Sequence, residues 1–247
     1  DKDKDVREAA AEVLGKIAEQ ASAEHHPMLI KTLIPALQDK DKDVREAAAE
    51  VLGKIAKQAS AEHLPAIIQA LIPALQDKND DVRKAAAGAL GKIGANASAE
   101  HLPAIIQALI PVLQDKDNWI RMYATEALGE IAEQASAEHL PAIIQVLILT
   151  LQDKDFSVRS YAANALADIA EQASAEHQSA IIQALILALD KNKWVLDYAA
   201  KALRKIGAKA SAEHLKALIL ALQDKDFSVR SYAANLLGEI GAKASAE

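Results

Sequence analysis

HLPAIIQALIPALQDKNDDVRKAAAGALGKIG, residues 63–94, decides the fold. Its first half sets Leu64, Ile67, Ile68, Leu71, Ile72 and Leu75 at three- and four-residue steps, the spacing of one apolar helical face. The second half of the preceding copy does the same with Val44, Ala48, Val51, Leu52 and Ile55. Ala47, Ala48 and Ala49 keep its centre small, so that neighbouring helices can approach closely. Neither helix can bury its stripe alone. Stacking one pair on the next supplies the missing partner face.

Outward from this stretch the motif recurs along the whole chain. Its anchor is a β-branched residue, normally followed by arginine: Val6-Arg7, Val44-Arg45, Val82-Arg83, Ile120-Arg121, Val158-Arg159, Val195-Leu196 and Val229-Arg230. Subtracting their numbers gives steps of 38, 38, 38, 38, 37 and 34 residues. A fixed period in this range signals a solenoid of helical units. The composition is Ala/Leu/Ile-rich throughout, with no linker, so residues 1–247 are expected to form one array. The chain opens inside a unit, which predicts seven second helices and six first helices, about thirteen in all.

Helix boundaries follow from local chemistry. Asp3, Asp41, Asn79, Asp117, Asp155, Asn192 and Asp226 stand three residues before the anchors, where an N-cap accepts the first free backbone N–H groups. Pro27, Pro65, Pro103 and Pro141 follow the Glu-His pairs and suit a first helical turn. Pro35, Pro73 and Pro111 lie eight residues further on and predict a kink. Leu149 and Leu187 replace them later, which predicts straighter helices there.

A proline-kinked first helix, then Asp, then Val-Arg opening an Ala-rich second helix resembles the HEAT repeat. The resemblance covers essentially the whole chain and implies a right-handed all-α solenoid of stacked antiparallel helix pairs. It further implies a ladder between units built from Asp and Arg six positions apart: Asp1 and Arg7, Asp39 and Arg45, Asp77 and Arg83, Asp115 and Arg121, Asp153 and Arg159, Asp224 and Arg230. The ladder fails once, where Asp190 meets Leu196. Arg204 also fills a slot held elsewhere by Gly15, Gly53, Gly91, Gly129, Ala167 and Gly238. Differences between units concentrate two and one before the anchor, and two, three, six and ten after it. That pattern is similar to consensus-designed HEAT-like binding proteins. DKDFSVRSYAAN occurs at both 153–164 and 224–235, near-identity that fits a designed or recently duplicated array.

At about 100° per residue, those six slots fall opposite the apolar stripe of the second helix. In HEAT-like stacks the second helices line the concave surface, so the slots are expected to form one groove. Its early units are acidic, with Lys4, Asp5, Glu8, Glu12 and then Lys42, Asp43, Glu46, Glu50. Later units carry Trp119, Met122, Tyr123 and Glu126, then Phe156, Ser160, Tyr161 and Asn164. Trp194, Asp197, Tyr198 and Lys201 follow, and finally Phe227, Ser231, Tyr232 and Asn235. Rigid aromatic anchors beside adaptable polar groups form a vocabulary for gripping protein surfaces. The tyrosines lie near the edge that meets the adjacent unit, where a ring can instead fill a crevice between repeats.

Signals for chemistry are weak. Glu-His recurs at Glu24-His25, Glu62-His63, Glu100-His101, Glu138-His139, Glu176-His177 and Glu213-His214, once per full unit at the inter-helix turn. Imidazoles about 10 Å apart cannot share an ion held by bonds near 2 Å, so turn chemistry is the reading. Cysteine is absent, which excludes thiol catalysis and disulfides. Asn96-Ala97-Ser98 fits a glycosylation triplet, but equivalent units carry Gln, so chance explains it. Net charge −7 argues against a phosphate-tracking surface, and no apolar span suits a membrane.

The expectation is a non-enzymatic scaffold, soluble and cytoplasmic, that binds protein or peptide through its concave C-terminal half. No cofactor, metal, nucleic acid or membrane is expected. A structural or self-assembling rod is the alternative, since both chain ends lack an evident polar capping repeat. An enzyme of HEAT fold ranks below both.

Overall fold

The computed structural model describes residues 25–98, 100–188, 212–223 and 225–244, with Val6, Ala9, Val13, Tyr198, Lys201, Ala202 and Lys205. Among these residues the regular structure is wholly helical, with eleven α-helices. Two of the thirteen expected helices, those around Val6 and Val195, fall largely outside the described residues. The individually described residues in both stretches are helical. The chain divides into two compact units, Asp1–Ala135 and Ser136–Glu247.

In unit 1 the first helices are α1 (His26–Ala36), α3 (Leu64–Ala74) and α5 (Leu102–Leu109). The second helices are α2 (Lys42–Ala56), α4 (Asp80–Gly94) and α6 (Asn118–Gln134). Asp41, Asn79 and Asp117 cap α2, α4 and α6, each side chain accepting a backbone N–H in the first turn. The predicted apolar faces are buried, Leu64, Ile67, Ile68 and Leu71 on α3 and Val44, Ala48, Val51, Leu52 and Ile55 on α2. Each large aliphatic side chain so buried contributes roughly 1.5–3 kcal/mol. Pro27, Pro65 and Pro103 occupy the first turns of α1, α3 and α5. Pro111 has the strongest effect of the inner prolines. There α5 ends at Leu109 and a 3-10 segment, Ile110–Gln114, takes over, because proline lacks an N–H and crowds the preceding turn.

The second helices draw together more closely than the first. At Gly53 an added Cβ would stand 2.7 Å from the Ala89 Cβ, and at Gly91 one would stand 2.6 Å from the Ala127 Cβ. The missing side chains are what admit the neighbouring backbone.

Arginine ties the layers at the loop edge. Arg45 donates from Nε and Nη2 to the Asp77 carboxylate at 2.7 and 2.9 Å, and from Nη1 to the Asp39 carbonyl at 2.8 Å. Arg83 repeats this with Asp115 at 2.8 and 3.3 Å and with the Asp77 carbonyl at 2.9 Å. Each arginine therefore holds the backbone of its own loop and the carboxylate of the following one. The same carboxylate accepts the N–H of the next N-cap residue, Asn79 on Asp77 and Asp117 on Asp115. Burial alone would raise the Asp77 carboxyl, but hydrogen bonds from Arg45 and the Asn79 N–H outweigh it and hold it below its ordinary value.

Unit 2 contains first helices α7 (Leu140–Thr150), α9 (Ala175–Ala188) and α10 (Ala212–Ala221), with second helices α8 (Phe156–Ile169) and α11 (Phe227–Ala244). Asp155 caps α8 through the N–H groups of Ser157 and Val158. Arg159 donates to the Asp153 carbonyl at 2.7 Å, the same loop contact as in unit 1. With Leu149 at the inner-proline position, α7 ends at Thr150, the residue equivalent to Ala74, where α3 ends with Pro73 inside it. Ser179 and Lys216 replace the early proline, and α9 and α10 accordingly begin before their histidines, at Ala175 and Ala212.

Candidate functional site

Most of the described variable slots lie on the solvent face of the second helices, and slots of successive helices touch. In unit 1, Lys42 two before its anchor donates to Asp81 one before the next, at 3.4 Å. Lys84 two after its anchor lies 5.1 Å from the centre of the Tyr123 ring on α6. In unit 2, Lys201 donates to Asn164 and to Asp168, both at 2.9 Å. Lys205 adds a contact to Asp168 at 2.8 Å. Slot side chains thus meet between α2 and α4 and between α4 and α6 in unit 1, and Asn164 and Asp168 of α8 meet Lys201 and Lys205 in unit 2.

Trp119 is the most exposed ring of unit 1, at 59 %. Its backbone N–H is held by the Asp117 cap at 2.8 Å, so the first turn of α6 fixes its base while the indole faces solvent. Met122 was expected on this surface. It is instead only 6 % exposed and turned inward, so it belongs to the packing. Tyr123 is half-buried beneath the Lys84 ammonium, part crevice filler and part surface. Glu126 is half-buried, and burial together with the Glu130 carboxylate raises its acid above the ordinary value.

In unit 2 the exposed rings are Phe156 at 45 %, Tyr161 at 36 % and Phe227 at 73 %. The Arg230 guanidinium lies 5.8 Å from the Phe227 ring centre, a cation–π contact within one helical turn. Ser231 and Asn235 are exposed, whereas Ser160, Asn164, Tyr198, Lys201 and Tyr232 are half-buried. Trp194 and Asp197 lie outside the described residues. Burial pushes the Asp168 carboxyl up, but hydrogen bonds from Lys201 and Lys205 outweigh it and leave it below its ordinary value. Asp168 and Lys205 were not among the expected site residues. The signal was present, since both stand ten after an anchor, one of the variable slots.

The histidine row behaves as turn chemistry. Ser60, Ser136 and Ser174 hydroxyls lie 3.4, 3.0 and 2.7 Å from Nδ1 of His63, His139 and His177 in the same turns. Among the described residues no group of three or more His, Asp or Glu side chains is placed to hold a metal ion. Nor is any described helix long and apolar enough to cross a membrane.

The profile of the family described as "Adaptin N terminal region" matches residues 1–247. No curated protein sequence matches the chain. Solved structures do. An engineered protein from a structural genomics consortium is 28% identical, with TM-score 0.59, covering 87% of this chain and 97% of its own. A designed armadillo repeat protein in complex with the peptide (KR)4 is 22% identical, with TM-score 0.59 and coverage of 85% and 99%. Kap95p, solved with RanGDP, is 16% identical with TM-score 0.71; the match covers 93% of this chain and 32% of Kap95p. Stacked helical repeats of the HEAT and armadillo type are the shared fold.

Proposed function

Since the chain belongs to the Adaptin N terminal region family, we propose that it is a non-enzymatic scaffold that binds a protein or peptide along the solvent face of its second helices. One observation carries this reading: large apolar rings stand in water at the slots that differ between units, Trp119 in unit 1 and Phe156, Tyr161 and Phe227 in unit 2. A fold stabilised by Leu, Ile and Ala has no need of them there, and exposed aromatics grouped on one face mark contact surfaces. Trp194 and Asp197 join the proposal by their slots. Two similar folds were solved holding a peptide and a protein, which supports the same use here. The repeat register runs unbroken through Ala135 and Ser136, which supports reading the units as stretches of one array.

The test is affinity capture with the parent protein, with Trp119→Ala, and with Phe156→Ala/Phe227→Ala. Loss of captured partner at unchanged helical circular dichroism is expected. Full capture by all variants removes the assignment.

A second reading, self-association, draws on the end of α10, where Ile219 and Leu220 are exposed, and on Leu222 in the turn just after it, also exposed. The residues equivalent to Leu222, Leu75 and Leu151, are buried. Light scattering across a concentration series decides, because constant monomer mass excludes it.

A further inference from the structure

We propose that the paired ammonium groups of Lys201 and Lys205 in unit 2 receive an aspartate or glutamate side chain of a bound protein segment. This rests on reading the second-helix face as a binding surface and adds the chemistry of one contact on it. Of the seven units, only the one anchored at Val195 carries a cation both six and ten after its anchor. The two lysines stand one helical turn apart, so their side chains reach the same neighbour.

That neighbour is α8. Lys201 Nζ and Lys205 Nζ each lie 2.8 Å from Asp168 Oδ1, so the nitrogens are separated by no more than twice that distance. Lys201 also donates to Asn164 Oδ1 at 2.9 Å, and Lys205 to the Asp168 backbone carbonyl at 3.2 Å. Among the described residues no second carboxylate bonds either lysine.

The charge within the cluster is uneven. Hydrogen bonds from both lysines hold the Asp168 carboxyl below its ordinary value, so one negative charge faces two positive ones. An ammonium carries three N–H groups, and each lysine uses two of them inside the cluster. One donor per lysine is left over, on side chains 38 % and 33 % exposed. An incoming carboxylate has one oxygen for each and supplies the missing negative charge. Position favours a protein ligand over a free anion. Tyr161, Asn164 and Asp168 follow at three- and four-residue steps on α8, and Tyr161 is exposed. An acid seated on the lysines therefore lies about 10 Å along the helix from a ring that can grip the same segment.

The test uses the full chain and three fluorescein-labelled peptides of equal length and phenylalanine content, carrying glutamate, glutamine or phosphoserine at the same positions. Anisotropy is expected to show the glutamate peptide binding about tenfold more tightly than the glutamine peptide, with added salt narrowing the gap. Lys201→Met/Lys205→Met should erase that preference, and Asp168→Asn should widen it by removing the internal counter-charge, both at unchanged helical circular dichroism. Equal affinity for the glutamate and glutamine peptides overturns the proposal. So does a double variant that lowers the urea midpoint yet keeps the preference, because the lysines are then only a staple between helices. A preference that emerges only in Glu239→Gln overturns it too, since the pair is then filled from within the chain. Binding of the phosphoserine peptide alone reassigns the pair to phosphate. No binding of any peptide also overturns the carboxylate contact, and capture by Trp119→Ala then tests the parent reading independently on unit 1.

Discussion

Gly91 and Gly88 lie three residues apart on α4 and meet opposite surroundings. A Cβ at Gly91 would come within 2.6 Å of the Ala127 Cβ and 2.8 Å of its Cα, backbone that cannot swing aside. A Cβ at Gly88 meets nothing within 4 Å. Gly91→Ala should therefore destabilise by about 1–3 kcal/mol through overpacking. Gly88→Ala should stabilise by about 0.5–1 kcal/mol, since a helical alanine replaces an entropically costly glycine. Urea midpoints of the two variants check the opposed signs. The glycine slot was legible from its recurrence. The inward turn of Met122 was not, because it depends on how far α6 is rotated against its neighbours, and slot counting on an ideal helix carries no such information. The Lys84–Tyr123 contact was illegible for the same reason: its partners are set by packing between helices.

At the scale of elements, the boundaries read most faithfully because their causes are local. Asp41, Asn79, Asp117 and Asp155, each three before its anchor, do cap their helices, and losing the early proline does let α9 and α10 start sooner. The ladder was legible as residue types but not as wiring. The arginine spends one nitrogen on its own loop's carbonyl and its bidentate face on the following loop's carboxylate. Arg83→Met keeps the stem's packing yet strands the Asp115 carboxylate, whose side chain is largely buried. Breaking such a pair costs about 3 kcal/mol. Asp115→Asn in the same background should recover part of that loss. A double-mutant cycle by chemical denaturation measures both.

For the whole molecule, the perturbed acids give opposing pH trends. Glu46 and Glu126 have folded values above the ordinary 4.5, so the folded state takes up their protons first. Their contribution to stability rises as pH falls through the raised values toward 4.5. Asp77 and Asp168 have folded values below the ordinary 3.8. What they contribute is present above 3.8 and is lost as pH falls through their lowered values. Thermal melts of Glu126→Gln should thus exceed the parent at neutral pH, with the difference shrinking toward pH 4.5. A constant difference across that range would contradict the assignment.

The clasp at the loop edge has a direction and a fixed stride. Arg45 reaches the Asp77 carboxylate and Arg83 that of Asp115, each 32 residues ahead. Copy number is consequently free to change while the interior of a unit is not. A complete 38-residue block can be spliced in or out of unit 1 and the 32-residue stride from Arg45 or Arg83 to its aspartate is kept. A trim of one helical turn inside a block shortens the stride. Where the chain has made such a trim, the corresponding stride runs from residue 196 to Asp224, only 28 positions, and residue 196 is a leucine. The molecule's grammar tolerates added or deleted sentences but rewrites the word wherever a sentence is cut short.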